Sequence, residues 1–171
     1  QAGFRSGYSA VDNIFVMMSL VRRSLQTKGE KLYAFFVDMR AAFDRVDRNA
    51  LYVKLSEKGV SSKFIQLIRA TYQGSSAQVW SREGLSEHFE ITSGVRQGCS
   101  LSPLLFALYL DDLGAVLDCG VRVGGHFIKL LLYADDIVLL SSSPSGLQQS
   151  IDKLEAYCER WNMEVNLDKS K

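Results

Sequence analysis

The 171-residue chain is 47% hydrophobic and 23% charged, the make-up of one globular domain with its own core. Two prolines and no low-complexity run exclude a disordered chain, and apolar runs such as 127–134 are too short to span a bilayer. A formal net charge of +1 gives no basic surplus, so a nucleic-acid partner would have to meet locally clustered charge or charge supplied elsewhere.

In chain order, residues 1–9 carry Gly3 and Gly7 and no period. Ser9 or Asp12 can cap a helix that puts Ile14, Met17, Met18 and Val21 on one face. Residues 32–37 form a short aromatic-rich apolar run, a predicted buried strand ending at Asp38. Helical spacing resumes at Leu51 and Leu55, stops at Gly59 and restarts with Phe64, Ile65, Leu67 and Ile68. Residues 77–80 and 88–92 alternate like strands around Gly84, and a loop over 93–101 follows. Ser102-Pro103 predicts a helix capped by serine, with proline tolerated in the first turn. Residues 121–123 and 127–133 flank Gly124-Gly125 as a hairpin, and Asp135-Asp136 and the apolar run 137–140 come next. Ser143-Pro144 repeats the cap, and Leu147, Ile151, Leu154, Cys158 and Trp161 fall on one helical face. A last strand is expected over 163–167. The pattern is α+β: an antiparallel sheet with helices on one face, split-βαβ-like.

Three cysteines without CxxC spacing give neither a disulfide framework nor a zinc site, and they fit a reducing intracellular compartment. His88 and His126 show no ligand spacing. No signal peptide is seen, and the ends, Gln1 and Lys171, read as those of a piece of a longer protein.

The carboxylates carry the chemistry. Two-metal phosphoryl transfer needs acids that hold two Mg²⁺ ions about 3.5–4 Å apart, with phosphates and waters as the other ligands. Asp38 ends an apolar strand, and Asp135-Asp136 interrupts two apolar runs; a tight turn at a sheet edge would bring them together. Taken singly, each could be an exposed turn acid. Asp111-Asp112 is a useful contrast: neighbours on a predicted helix point apart, so a solvated helix face is expected there. Asp44 and Asp47 are expected to face solvent or to cap the helix beginning near Arg48.

Several segments carry a family resemblance, and their order matches that family. Tyr133-Ala134-Asp135-Asp136 resembles the YxDD box of reverse transcriptases, and residues 36–46, around Asp38, resemble the aspartate motif that precedes it. Residues 94–106 resemble the glutamine–glycine motif in the form found in LINE-like elements without long terminal repeats. Residues 161–171 resemble the trailing lysine motif, and residues 1–5 the segment upstream of the aspartate motif. Ser100 stands where many relatives carry proline, and Ser170 where threonine is common.

The resemblance spans the whole chain and implies a right-hand polymerase palm with part of the fingers. Residues of about 1–30 would form a fingers-side segment, and about 31–171 the palm with some fingers insertion. Thumb and endonuclease would lie elsewhere in the polypeptide. It implies an RNA-directed DNA polymerase that takes an RNA template, a DNA primer and dNTPs, uses two Mg²⁺ ions (or Mn²⁺ in their place), binds no membrane and works in cytoplasm and nucleus. By matching position, Asp38, Asp135 and Asp136 are the metal ligands, Asp136 the weaker, because neighbours in an extended segment face opposite ways. Phe43 matches the steric gate against ribonucleotides. Gln97 and Gly98 match positions beside nucleotide and template, Arg96 and Arg5 phosphate or template contacts, and Lys169 the lysine that neutralises or protonates pyrophosphate. The competing readings are a viral RNA-dependent RNA polymerase palm and a non-catalytic remnant of a decayed element. Phe43 and Ala134 argue against the first, and survival of all three acids against the second.

Overall fold

The computed structural model describes residues 1–171. Helix α1 (Ala10–Gln26) is followed by strand β1 (Tyr33–Val37) and helices α2 (Arg48–Glu57) and α3 (Ser62–Tyr72). Four two-residue strands come next: β2 (Ser76–Ala77), β3 (Trp80–Ser81), β4 (Gly84–Leu85) and β5 (Phe89–Glu90). Helix α4 (Ser102–Leu110) and the short α5 (Leu113–Val116) lead to β6 (Val121–Val123), β7 (His126–Ile128), β8 (Leu130–Tyr133) and β9 (Asp136–Ser141), and α6 (Pro144–Arg160) follows.

Strands β1, β9 and β8 form the central sheet in that order, both pairs antiparallel. Strand β9 therefore sits between two strands parallel to each other, the split βαβ arrangement anticipated from the sequence. Alternation sends Val37, Leu132, Ile137 and Leu139 to one face. There they join Leu51 and Leu55 of α2, Phe106 and Tyr109 of α4, and Leu154 and Cys158 of α6 in one core cluster. Helices α2 and α3 are capped by Asp47 and Ser61, and α6 by Ser143, whose hydroxyl accepts from the Gly146 amide. All three cysteines are free, and no helix is long and apolar enough to cross a membrane.

Four expectations need correcting. The cap before α4 is Leu101, and the Ser102 hydroxyl is buried without a hydrogen-bond partner instead of capping the helix. The apolar side of α1 is not a core face: Ile14 and Met18 stay about half exposed and only Leu20 is buried, and an open apolar hollow lies between this side of α1 and Phe36, Leu131 and Val138 of the sheet. Residues 127–133 split into two strands at Lys129, whose carbonyl accepts from Leu140 across the sheet. Residues 163–167 make no regular strand. They run along the free edge of β1 with a single bridge, Met39 to Val165, and stay irregular because the chain then turns to tie Lys171 to Phe36.

The Asp111-Asp112 pair also departs from expectation. It lies between α4 and α5, and Asp112 accepts from the buried Lys54 ammonium at 2.6 Å and from the Tyr157 hydroxyl at 2.6 Å. Asp111 pairs with Lys58 at the surface. A buried ammonium needs a counter-charge, and the break between the helices frees Asp112 to supply it.

Candidate active site

Val37, the last residue of β1, stands opposite Ile137 of β9. Asp38 follows the one and Asp136 precedes the other, so both come to the same end of the sheet. Tyr133 pairs with Asp136, which leaves Ala134-Asp135 as a two-residue turn at that end. Partial desolvation first, and then the negative charges of Asp135 and Asp38, push the Asp136 carboxyl above its usual range, as expected of acids crowded together.

The two neighbouring acids face different surroundings. Asp135 lines a cleft of about 440 Å³ with Phe4, Phe43, Asp44, Gln97 and Gly98. Asp136 borders an apolar hollow on the other face of the sheet, beside Ile14, Phe36 and Val138. Asp135 belongs to the turn and Asp136 is the first residue of β9, so the two side chains leave the backbone in different directions.

Asp38 is held by the segment that runs along β1. Asn166 donates from Nδ2 to Asp38 Oδ2 at 3.1 Å, and its amide donates to the Asp38 carbonyl at 2.8 Å. The Asp38 amide donates to Ser170 Oγ at 3.2 Å. Lys169 Nζ lies 4.0 Å from Asp38 Oδ2, with its side chain largely exposed.

Phe43 is both core and cleft. One ring face stacks on Phe106 at 4.7 Å, the edge contact to Phe4 is at 6.2 Å, and the residue lines the cleft. Gln97 donates to both carboxylate oxygens of Asp44, at 3.1 and 3.2 Å. Gly98, at φ 80°, borders the same cleft with open space around its α-carbon.

The two arginines lie outside this cleft. Arg96 lines an adjoining cavity of about 830 Å³ and donates to Ser75 Oγ at 3.0 Å. Arg5 stacks on Tyr8 at 4.3 Å and donates to the Gln1 carbonyl at 3.3 Å. Three contributors were given no site role in the sequence, Asp44 among them as a solvent-facing or capping acid. Asn166 and Asp44 lie inside the resembling motifs but carry no pattern that separates a site residue from a solvated one, and Phe4 reads as a loop aromatic.

Hard carboxylate oxygens suit Mg²⁺ or Mn²⁺ better than softer metals. No three His, Cys, Asp or Glu side chains are gathered closely enough to enclose an ion. Desolvation is the largest cause of the rise at Asp136, and the smaller contributions from Asp135 and Asp38 show that three acids place negative charge at this end of the sheet.

The family description "Reverse transcriptase (RNA-dependent DNA polymerase)" matches residues 1–171, the entire chain. The chain belongs to the reverse transcriptase family. Similar curated proteins come from non-LTR retroelements. The Pol polyprotein of the type-2 retrotransposable element R2DM of Drosophila melanogaster is 30% identical over 171 residues, covering 99% of this chain and 16% of its own length. The probable RNA-directed DNA polymerase from transposon BS of the same species is 33% identical over 178 residues, covering 99% and 19%. The chain thus spans less than a fifth of these relatives. Among solved structures, telomerase from Candida albicans superposes with a TM-score of 0.74 at 17% identity, over 99% of this chain and 30% of that one. Apo telomerase from Candida tropicalis gives 0.71 at 19%, over 95% and 35%. The reverse transcriptase fold is therefore that of a polymerase, with the mixed helices and antiparallel strands expected of palm and fingers.

Proposed function

We propose that this reverse transcriptase chain is the catalytic core of an RNA-directed DNA polymerase from a LINE-like retroelement, working inside the cell in cytoplasm and nucleus. It would extend a DNA primer on an RNA template with dNTPs. The observation that carries the reading is the meeting of Asp38 with the Asp135-Asp136 turn at one end of the sheet. Residues of about 1–30 serve as a fingers-side segment and the remainder as palm, with a thumb and an endonuclease elsewhere in the same polypeptide.

Asp38 and Asp135 are the principal ligands for divalent metal in this reading, with Asp136 completing the acidic cluster. When bound, two Mg²⁺ ions lower the pKa of the primer hydroxyl and stabilise charge on the transferring phosphoryl, and Mn²⁺ can replace them. The chain's own residues bind and orient. The free side of Phe43 crowds the sugar 2′ position, while Gln97 and Gly98 flank the nucleotide and template. Glycine there lets backbone approach the ligand closely. Lys169 is exposed enough to swing from Asp38 towards the leaving pyrophosphate and neutralise or protonate it. Arg96 and Arg5, outside the cleft, are left for template or phosphate contacts.

Asp135→Asn tests the reading in the full-length polypeptide. It keeps the shape of the side chain and removes the charge that holds a cation. Polymerisation should fall to near background with folding intact, while Asp111→Asn, which loses an equal charge at a surface ion pair, should stay close to the parent. Equal activity of Asp135→Asn and parent would remove the assignment. A parent inactive with both Mg²⁺ and Mn²⁺ would point to a decayed remnant.

A further inference from the structure

The turn that carries Asp135 contains a backbone conformation alanine rarely adopts. Ala134, its first residue, has φ 55°. A non-glycine residue persists in the left-handed region only where its surroundings hold it there.

Those surroundings are residues 1–3. Gln1 Oε1 accepts from the Ala134 amide at 2.8 Å, and Gln1 Nε2 donates to the Ala134 carbonyl at 3.0 Å. One carboxamide thus satisfies both backbone groups of the strained residue, as a neighbouring strand would. The same Oε1 accepts from the Gly3 amide at 2.8 Å, which fixes the side chain against its own segment. The segment is anchored in turn: the Ala2 amide donates to the Leu132 carbonyl at 2.9 Å, and Asn13 Nδ2 reaches the same carbonyl at 3.0 Å. Gly3 is buried against the turn so closely that a β-carbon there would lie 2.3 Å from the Ala134 nitrogen. Only glycine permits that approach.

We infer that Gln1 is a positioning residue for the acidic turn: its carboxamide locks Ala134 in the left-handed conformation and so aims the Asp135 carboxylate into the cleft. The inference rests on the reading of Asp135 as a metal ligand. No other side chain hydrogen-bonds both backbone groups of Ala134, and the next residue along the chain is the acid itself.

The test uses the full-length polypeptide with Gln1→Glu and Gln1→Met. Glutamate keeps the shape but loses the donor and sets an anionic oxygen against the Ala134 carbonyl; methionine keeps the length and loses both bonds. Three readouts are taken: thermal midpoint, hydrogen exchange of the peptide spanning 130–137, and Mn²⁺ binding followed by electron paramagnetic resonance. Faster exchange in that peptide, about tenfold weaker Mn²⁺ binding and about tenfold lower kcat are expected, with KM for dNTP and the thermal midpoint little changed. Exchange and Mn²⁺ affinity equal to the parent's in either folded variant would overturn the inference. So would faster exchange with unchanged Mn²⁺ affinity, since Gln1 would then only pack. A parent that binds no Mn²⁺ would remove the metal reading beneath it, an outcome separate from the other two.

Discussion

Asp38 has its backbone and one carboxylate oxygen committed to the segment 166–170, which leaves Oδ1 without a protein partner. Groups that orient a ligand in this way typically change metal affinity or activity by about 10–100-fold when removed. Asn166→Ala should therefore lower polymerase activity within that range and raise the Mn²⁺ concentration needed for half-maximal rate, both read in primer-extension assays. An unchanged metal requirement would reduce Asn166 to a packing residue. Phe43 allows a paired test. Phe43→Val in the complete enzyme should admit ribonucleotides while keeping dNTP incorporation. It should also cost about 1–2 kcal/mol in a melt, because the stack on Phe106 is lost with the ring. Lost stability with unchanged sugar discrimination would make Phe43 core alone. At this scale the sequence reveals the proposed ligands better than the groups around them. Asp38 and Asp135 stand out against apolar runs, whereas Gln1 and Asn166 act through a carboxamide whose partner lies more than a hundred residues away, a relation that no local pattern encodes.

Helices α2, α4 and α6 are tied together by one buried cation. Lys54 is 2% exposed, donates to the Tyr109 carbonyl, Asp112 and the Tyr157 hydroxyl, and sits 3.9 Å from the centre of the Trp161 ring. Burial pushes the Lys54 ammonium below its usual value, with Asp112 opposing that shift. Burial also works against the Asp112 carboxylate, but hydrogen bonds from Lys54 and Tyr157 outweigh it and hold the group below the usual range. The two partners should respond unequally to mutation. Asp112→Asn leaves an ammonium buried without its counter-charge, a loss of about 3–5 kcal/mol where such pairs are broken. Lys54→Met leaves a carboxylate whose side chain is 41% exposed, which water can reach, so its loss should be smaller in urea titrations. A larger loss for Lys54→Met would overturn this ordering. The pH dependence follows from the depressed Asp112 value: its contribution is present above the ordinary carboxylate range and is lost as pH falls through the lower folded value. Acid should therefore lower the thermal midpoint of the parent more steeply than that of Lys54→Met. Helical spacing located α2, α4 and α6, but it also led to a solvated Asp112. In sequence Lys54 looks like any polar residue between Leu51 and Leu55, and its partners come from α4, the break after it and α6.

The whole molecule holds an acidic cleft in a chain of net charge +1, a combination with little grip on a polyanion. Each phosphate neutralised on duplex DNA contributes about 0.9 to the slope of log Kobs against log salt, so a protein with few phosphate contacts binds weakly and shows a shallow slope. Clustered arginines are scarce near the cleft: Arg48 is occupied by the carbonyls of Ile91, Ser93 and Gly94, and Arg40 and Arg45 both pair with Glu164. The curated relatives are at least five times longer than the stretch they share with this chain, which leaves ample length for basic surfaces elsewhere. The 171-residue chain alone should therefore bind a primer–template duplex weakly, with a shallow salt slope and little extension. The full-length polypeptide should bind tightly, with a steeper slope. Fluorescence anisotropy across a salt series on both proteins reads the difference directly. Equal slopes, or robust extension by the 171 residues alone, would show that this chain grips the duplex by itself and that the charge balance is a poor guide to where nucleic acid is held.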